Sequence, residues 1–257
     1  MEQTVVRIRT LEIGSGMPKI CVPVVGKTEK EILEGAERAK AAKPDLVEFR
    51  VDWYEEAADS KKVVALLEKL RKCLGELPVL FTFRSSREGG EAALSDGAYQ
   101  NLNEAAIASG FVDCVDVELF SGDAVVKAVV AAAHSNHVKV IASNHDFEKT
   151  PAAEELLARL QKMEALGADI PKIAVMPQSS KDVLTLLTVT ESWKETGKTP
   201  VITMSMAGEG LISRLCGEIF GSAVTFGAAG KSSAPGQIDA EELRRILGII
   251  HQNSNRQ

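Results

Sequence analysis

The chain has 257 residues, of which 45% are hydrophobic, so it can bury a sizeable core as one large domain or two ordinary ones. Its formal net charge is −6 and its lysines and arginines form no basic stripe, so nucleic acid is not an expected partner. The N-terminus has no charged-then-apolar signal pattern, and no apolar run approaches the ~20 residues of a membrane span. We therefore expect a cytoplasmic protein with no membrane contact.

The cysteines are scattered along the chain, with no C-x-x-C motif and no metal-ligand spacing. They are Cys21, Cys73, Cys114 and Cys216. Three of them sit in apolar surroundings, so we interpret them as small core residues and not as a disulfide framework.

Residues 4–13 alternate roughly between apolar and polar side chains, which predicts a short β-hairpin before the main domain. We expect its turn near Gly14-Ser15-Gly16. Beyond it the chain repeats one unit: a short apolar strand, a polar loop and an amphipathic helix. We predict a single domain, with the hairpin at 1–18, the repeated units at 19–251 and a tail at 252–257.

Eight strands and eight helices alternate in this prediction. The strands are Lys19–Val25, Asp45–Val51, Pro78–Phe83, Phe111–Glu118, Val138–Ser143, Pro171–Met176, Pro200–Met204 and Ala223–Phe226. The helices are Thr28–Ala42, Ser60–Cys73, Tyr99–Ser109, Asp123–His134, Ala152–Leu166, Lys181–Glu195, Gly210–Phe220 and Asp239–His251. This alternation predicts a single (β/α)₈ TIM barrel of the α/β class. A doubly wound open sheet is the competing fold, but no nucleotide-binding glycine motif follows the first strand.

Start and stop signals support several of these helices. Thr28 and Thr150 stand where an N-cap is expected, and Thr150 is followed by a proline. Gly110, Gly167 and Gly197 stand where helices are expected to end.

Because active sites of such barrels lie at the C-terminal ends of the strands, we examined the polar residues there. The second strand carries Glu48, Arg50 and Asp52 on one face. This pattern leaves open an internal ion-pair network or a carboxylate and a guanidinium aimed at a ligand. Arg84 ends the third strand, where it could hold an anionic or hydroxylated substrate.

A glycine pair after the third strand suggests a tight or mobile loop that carries Glu88. Asp116 and Glu118 share one face of the fourth strand. We interpret those two carboxylates as partners of neighbouring strand groups and not as chemical groups of a site.

Two residues on neighbouring strands are the candidates for chemistry. His145 is the one histidine at a strand C-terminus, so it is the best general acid/base candidate. Lys172 enters the sixth strand early, which favours a side chain inside the barrel. A buried amine tends towards its neutral form, which attacks carbonyls and forms Schiff bases. The alternative is that Lys172 only begins the strand and keeps its head in water.

The last two loops add further polar groups. Arg214 lies in the first turns of the seventh helix, where it could take a substrate carboxylate by two parallel hydrogen bonds or simply be a surface arginine. The loop 232–237 is a plain connector or a lid, and its Ser233 and Gln237 could hydrogen-bond hydroxyl groups. Together the predicted rim suits a small, anionic, polyhydroxylated carbonyl compound processed through an imine.

At this point the sequence resembles a known family, the type I 3-dehydroquinate dehydratases of the shikimate pathway. The resemblance spans nearly the whole chain in family order. The matching segments are Glu48–Asp52, Phe81–Ser85, Glu88–Glu91, Ser143–Phe147, Lys149–Pro151, Asp169–Pro177, Met204–Met206, Ser213–Leu215 and Ser233–Gln237.

The resemblance implies a homodimeric barrel with no metal and no cofactor, which dehydrates 3-dehydroquinate to 3-dehydroshikimate. It implies that Lys172 forms a Schiff base with the C3 ketone, and that the cationic imine acidifies the C2 proton. His145 would then be the base for that proton and the acid that helps the C1 hydroxyl leave. Glu88 would orient His145.

For the substrate pocket, the resemblance implies that Arg214 clamps the carboxylate. The other pocket positions that it implies are Glu48, Arg50, Arg84, Ser233 and Gln237. One departure is visible, because some family members have a first-strand serine that reaches the substrate, and Pro23 stands there in this chain. Proline offers neither a hydroxyl nor an N–H, which affects substrate affinity more than the chemistry.

Two alternatives from other classes remain. The chain could be another Schiff-base barrel enzyme, such as an aldolase or transaldolase, which would share Lys172. Such an enzyme would usually need a phosphate pocket, and no Gly-rich phosphate loop follows the last two strands. The chain could also be a non-catalytic barrel that binds a metabolite.

Overall fold

The computed structural model describes residues 3–230 and 237–254, and all structural statements below refer to that part of the chain. Ten strands are found in it: β1 Val6–Ile8, β2 Leu11–Ile13, β3 Lys19–Val24, β4 Leu46–Arg50, β5 Val79–Thr82, β6 Cys114–Glu118, β7 Lys139–Asp146, β8 Ile170–Val175, β9 Ile202–Ser205 and β10 Val224–Phe226. Nine α-helices accompany them: α1 Glu29–Ala41, α2 Ser60–Leu74, α3 Asp96–Ala108, α4 Asp123–Ser135, α5 Ala153–Ala165, α6 Ser180–Thr196, α7 Leu211–Leu215, α8 Gly217–Phe220 and α9 Ala240–Ser254.

Strands β3 to β10 form one parallel sheet in which each strand from β3 to β8 pairs with the next along the chain, and β10 pairs with β3. A bridge between Val201 and Ser222 links the last two strands, so the sheet is nearly closed. The predicted (β/α)₈ barrel is therefore confirmed. All eight predicted barrel strands are present, although the fourth begins at Cys114 and not at Phe111.

Apolar side chains fill two layers of the barrel. The larger cluster lies between the sheet and the helices, and it includes Val47, Phe49, Val115 and Trp193. The second cluster fills the inside of the barrel, and it joins Leu46 and Ile141 of the strands with Ile13 of the hairpin. The N-terminal hairpin thus closes one end of the barrel, and the buried polar residues lie at the other end.

The hairpin is present, but its turn is not at Gly14-Ser15-Gly16, where we expected it. The chain reverses at Arg9, whose φ is +52°. The Arg9 side chain donates hydrogen bonds to Asp113 at 2.6 Å and to Glu76 at 2.5 Å. These contacts, distant in sequence, hold a non-glycine residue in the left-handed region, while the glycines turn the chain from β2 into β3.

Two other local predictions were wrong. The seventh helix is broken into α7 and α8 at Cys216, whose φ of −101° and ψ of 16° depart from helical values. Thr150 does not cap α5, since its hydroxyl donates to the Met176 carbonyl oxygen at 3.0 Å. The Thr28 cap is confirmed, because its hydroxyl oxygen accepts from the Glu31 amide.

The C-terminal helix is longer than predicted, and the cysteines are unbridged. Helix α9 continues past residue 251 to Ser254, into the segment that we expected to be a tail. Cys21, Cys114 and Cys216 are buried and unbridged, as expected for core residues, and Cys73 is partly exposed. Over residues 3–230 and 237–254, none of the helices combines the length and the apolar character needed to cross a bilayer.

Candidate active site

A cavity of about 150 Å³ lies at the C-terminal ends of the barrel strands. It brings together eight of the nine residues singled out from the sequence: Glu48, Arg50, Arg84, Glu88, His145, Lys172, Arg214 and Gln237. The ninth, Ser233, lies outside the described residues, as do residues 232–236 of the loop 232–237 that was considered as a lid.

Lys172 points into the barrel, and only 3% of the residue is exposed, so its head is not in bulk water. Its Nζ lies 3.5 Å from Asp116 Oδ2 and 3.9 Å from Glu48 Oε1. It also lies 4.6 Å from the centroid of the Phe226 ring, close enough for a cation–π contact. Instead of an apolar pocket, the amine has two carboxylates and an aromatic face that stabilise a cation at this position.

Arg84 is the centre of a buried ion network behind the amine. Its guanidinium donates to Asp116 at 2.7 Å, to Glu118 at 3.0 Å and to Ser143 Oγ at 3.0 Å, and it lies 3.4 Å from Glu88. Burial opposes the charge, but the three carboxylates raise the pKa of Arg84 above its usual value. Asp116 and Glu118 thus pair with strand neighbours, as interpreted, and Asp116 in addition reaches Lys172.

The same network sets the charge of Asp116. Burial alone would raise the pKa of this carboxyl group, but Arg84 and Lys172 hold it below its usual value. A group whose folded-state pKa is lowered stabilises the fold above its unfolded pKa, and that contribution is lost as pH falls through the folded pKa.

Replacement of Arg84 by methionine should therefore destabilise the barrel strongly. Three buried carboxylates would lose their shared cation, which we expect to lower the free energy of unfolding by about 3–5 kcal/mol at pH 8. The loss should shrink at pH 5, where the crowded carboxyl groups take up protons and their repulsion falls. Urea unfolding at both pH values measures it.

The control for this prediction is Arg7→Met, which breaks an exposed pair between Arg7 and Glu12. Such surface pairs contribute about 0–1 kcal/mol, so the control should stay close to the parent. Equal losses in the two variants, or a loss from Arg84→Met that does not depend on pH, would contradict the role assigned to the network.

His145 and Glu88 form a dyad at the cavity wall. Glu88 Oε2 accepts the backbone N–H of His145 at 2.9 Å and lies 3.1 Å from His145 Nδ1. Burial, with the nearby Arg84, Lys172 and Arg50 cations, lowers the pKa of His145 well below its usual value, so the ring is neutral at physiological pH. When Glu88 is ionised it can only accept, so Nδ1 then carries the ring proton and Nε2 is left as an acceptor.

The loop that carries Glu88 is shaped by two glycines. Gly89 has φ of +81°, and an added Cβ there would lie 2.3 Å from the ring of Phe147, which stacks near His145. A Cβ on Gly90 would lie 1.8 Å from the Arg84 carbonyl oxygen. These close approaches bring the Glu88 carboxylate over the end of β7, so the glycine pair makes a tight loop.

Arg50 confirms one of the alternatives left open for the second strand. Arg50 donates two hydrogen bonds of 2.8 Å to Asp52, so an internal ion pair is present. Asp52 also accepts the Arg84 backbone N–H at 3.3 Å and thereby ties two strand ends together. Glu48 accepts from Thr82 at 2.9 Å and faces Lys172. Arg50 and Glu48 also line the cavity, so their contact with a ligand stays a prediction.

Arg214 is not a surface residue, because α7 turns it into the cavity and only 2% of it is exposed. Its Nη1 lies 3.7 Å from Met204 Sδ. Burial lowers the pKa of Arg214 to about 10, so the guanidinium is still charged at neutral pH. A desolvated guanidinium of this kind is suited to a carboxylate.

Some lining residues were not singled out from the sequence. Phe226 ends β10 on the inner face. It shares that face with Val224, two residues before it, and this spacing was the signal that would have found it. Phe147 follows β7 and touches the cavity from the loop, which strand alternation does not reach. Pro23 lies in β3 opposite Glu48 in the register of the sheet, where it supplies no polar group to the site.

Comparisons with known proteins agree with this geometry. The family model described as type I 3-dehydroquinase matches residues 20–254. A 3-dehydroquinate dehydratase of Listeria innocua serovar 6a is 57% identical over 244 residues, which are 95% of this chain and 97% of that protein.

Solved structures of related enzymes superpose on the whole barrel. A type I 3-dehydroquinate dehydratase from Clostridium difficile, described as carrying covalently modified comenic acid, superposes with a TM-score of 0.95 at 52% identity, covering 98% of this chain and 99% of that one. A 3-dehydroquinate dehydratase from Geobacillus kaustophilus HTA426 has the same TM-score at 42% identity, with 98% of each chain covered. The chain therefore belongs to the type I 3-dehydroquinase family.

Proposed function

We propose that this chain dehydrates 3-dehydroquinate to 3-dehydroshikimate and water through a Schiff base on Lys172. One observation carries the proposal: a buried lysine amine and a neutral, Glu88-bound imidazole line the same cavity from neighbouring strands. The family membership supports the substrate and the overall reaction. The residue roles below rest on the contacts in the cavity.

The substrate carries a carboxylate, several hydroxyl groups and a ketone. In our proposal Arg214 binds the carboxylate, because it is a charged guanidinium buried in the cavity wall. Glu48, Arg50 and Gln237 line the same space and can meet the hydroxyl groups. Arg84 acts mainly through its charge, since its terminal nitrogens already donate to protein oxygens. Ser233 remains a proposed hydroxyl contact on the strength of the family resemblance alone.

The covalent step joins Lys172 to the C3 carbon. The Lys172 ammonium first gives up one proton and the neutral amine attacks the carbonyl; a proton returned to the carbinolamine hydroxyl then lets it leave as water, and a cationic imine results. Asp116 and Glu48, at 3.5 and 3.9 Å from Nζ, stabilise this cation as they do the ammonium. The carboxylates that pair with the ammonium before the reaction thus also stabilise the cationic imine.

In our proposal His145 carries out the proton transfers. The imine withdraws electrons from C2, and Nε2 of the neutral imidazole removes the C2 proton to give an enamine. The resulting imidazolium gives a proton to the C1 hydroxyl group, which leaves as water while the electrons return to the imine. Hydrolysis of the imine, again assisted by His145, releases the product and restores the lysine. One water is lost overall, and the reaction needs no redox partner.

We also propose that the chain works as a homodimer in the cytoplasm. The family membership supports this proposal. Sedimentation of the purified protein tests the oligomeric state.

Borohydride trapping tests the proposed function. The protein is mixed with 3-dehydroquinate, reduced, digested and analysed by mass spectrometry. We expect a ligand-sized mass on the peptide that contains Lys172. Water loss without any adduct would mean an enolate route without the lysine. If there is no adduct and no reaction, the chain is better explained as an aldolase-like enzyme or a binding protein. A screen of phosphorylated carbonyl compounds would then test those alternatives.

A further inference from the structure

Asn144 contacts the Glu88–His145 dyad from the other side of the sheet. On β7, His145 faces the cavity, whereas Asn144 points outward and is 1% exposed. Its Nδ2 nevertheless reaches Glu88 Oε1 at 3.2 Å, because the loop after β5 carries Glu88 over the end of β7. The two oxygens of Glu88 are thus shared between adjacent residues of one strand.

A residue on the next helix fixes which way the Asn144 amide points. Arg159 of α5 donates from Nη1 to Asn144 Oδ1 at 2.5 Å, so the carbonyl oxygen must face the arginine and the NH₂ group must face Glu88. The guanidinium also lies 5.3 Å from the Phe120 ring centroid and pairs with Glu155. These contacts hold the arginine in place, so the amide has one orientation in which all its partners are satisfied.

We propose that Asn144 and Arg159 are positioning residues, which keep the Glu88 carboxylate ionised and aimed at His145 so that Nε2 stays free to accept the substrate proton. This inference rests on the proposed function and deepens it. Neither residue touches the cavity that holds Lys172, and both line a separate groove behind the dyad.

Three hydrogen-bond donors surround the Glu88 carboxylate. Asn144 Nδ2, the His145 backbone N–H and Arg84 Nη1 all present hydrogens to it. A proton on either carboxyl oxygen would displace one of these donors, so every contact favours the ionised form. Without the amide, Oε1 is free to take a proton, and the carboxyl group then no longer holds Nδ1–H of His145 with the same strength.

The charges that face Glu88 set the pH at which this happens. The pKa of Glu88 is raised to about 7: burial raises it most and Glu118 adds to the rise, whereas Arg84 and the hydrogen bonds from Asn144 and His145 lower it. Activity that depends on ionised Glu88 is present above this pH and is lost as pH falls through it. Removal of the Asn144 donor raises the pKa, so the acidic limb of the pH profile should move to higher pH.

The test is the pH profile of kcat/KM for 3-dehydroquinate with Asn144→Leu, which keeps the side-chain shape without the donor. We expect the acidic limb to move up by about one pH unit, with activity largely recovered at the alkaline end. Asn144→Asp should shift it further, because two carboxylates would then share one proton. A uniform loss of activity with the limb unmoved would assign Asn144 a merely structural role and overturn the proposal.

Arg159→Met is the second variant, and it tests the proposal even where a β7 variant fails to fold. It should shift the limb in the same direction, and Arg159→Lys should restore most of the shift because lysine can again donate to the amide oxygen. Arg87→Met is the matched control: Arg87 lines the same groove and carries the same charge, but it pairs with Asp96. If Arg87→Met and Arg159→Met shift the acidic limb equally, the shift comes from the loss of a nearby positive charge and not from the contact with Asn144. That result would overturn the proposal.

The parent protein in the same assay separates the two levels of inference. If the parent does not dehydrate 3-dehydroquinate, the proposed function fails. If the parent is active and none of the Asn144 and Arg159 variants moves the limb, the proposed function stands and the positioning role alone is wrong.

Discussion

Replacement of Lys172 by methionine should abolish the dehydration of 3-dehydroquinate while the barrel stays folded. Methionine keeps most of the side-chain volume but has no amine, so no imine can form at C3. Loss of a covalent nucleophile removes the whole electron sink, and we expect turnover to fall by at least about 10⁴-fold. Initial-rate assays measure the loss, and the borohydride adduct should vanish with it.

The stability of this variant has to be measured alongside, because Lys172 also balances buried carboxylates. Asp116 keeps Arg84 and Ser143 as partners, so we expect a weakened but cooperative unfolding transition. Lys139→Met is the matched control, since Lys139 begins β7 at the opposite end of the barrel and pairs with Asp169 at 2.9 Å. It should keep parental turnover. Near-parental turnover of Lys172→Met would end the imine mechanism.

Strand alternation explains how much of this site could be predicted. Lys172, Glu48 and Asp116 lie on inward positions of short apolar strands, and in a barrel all inward positions near the C-terminal ends meet in one cavity. Once eight strand and helix units had been recognised, the position of a residue along its strand was enough to place it. This is why His145 was found among the histidines of the chain.

Contacts that depend on loops and tertiary packing could not be found in this way. Asn144 lies on the outward face of β7, and alternation assigns it to the helix layer, yet the glycine loop brings Glu88 to it. Arg159 looks like any polar residue of an amphipathic helix. The same limit explains the misplaced hairpin turn, where side-chain contacts to distant residues hold Arg9 in a conformation that local propensity assigns to glycine.

Lys172 has charged partners that strand alternation alone does not reveal. The sequence suggested an amine driven to neutrality by an apolar strand, whereas Asp116 and Glu48 supply opposite charge at 3.5 and 3.9 Å. These carboxylates favour a cation at every stage, which suits the imine better than the attacking amine.

Replacement of His145 by alanine should slow the reaction by about 10²–10⁴-fold and leave the covalent step visible. Lys172 and its carboxylate partners are untouched in this variant, so an imine can still form. The steps that consume the imine, C2 deprotonation and hydrolysis, both lose their acid/base group. We therefore expect an adduct on Lys172 that accumulates during turnover and is detected by mass spectrometry of the intact protein.

The cavity that alanine leaves offers a direct test of the role. Added imidazole should restore part of the rate in His145→Ala, because a small base can occupy the vacated space beside Glu88. His134→Ala is the control, since His134 is on the surface and pairs with Asp169 at 2.9 Å, and it should keep parental activity with no response to imidazole. Parental activity of His145→Ala would show that His145 is not the acid/base group. Slow turnover without an adduct would instead place His145 in imine formation, and the C2 proton would then need another base in the cavity.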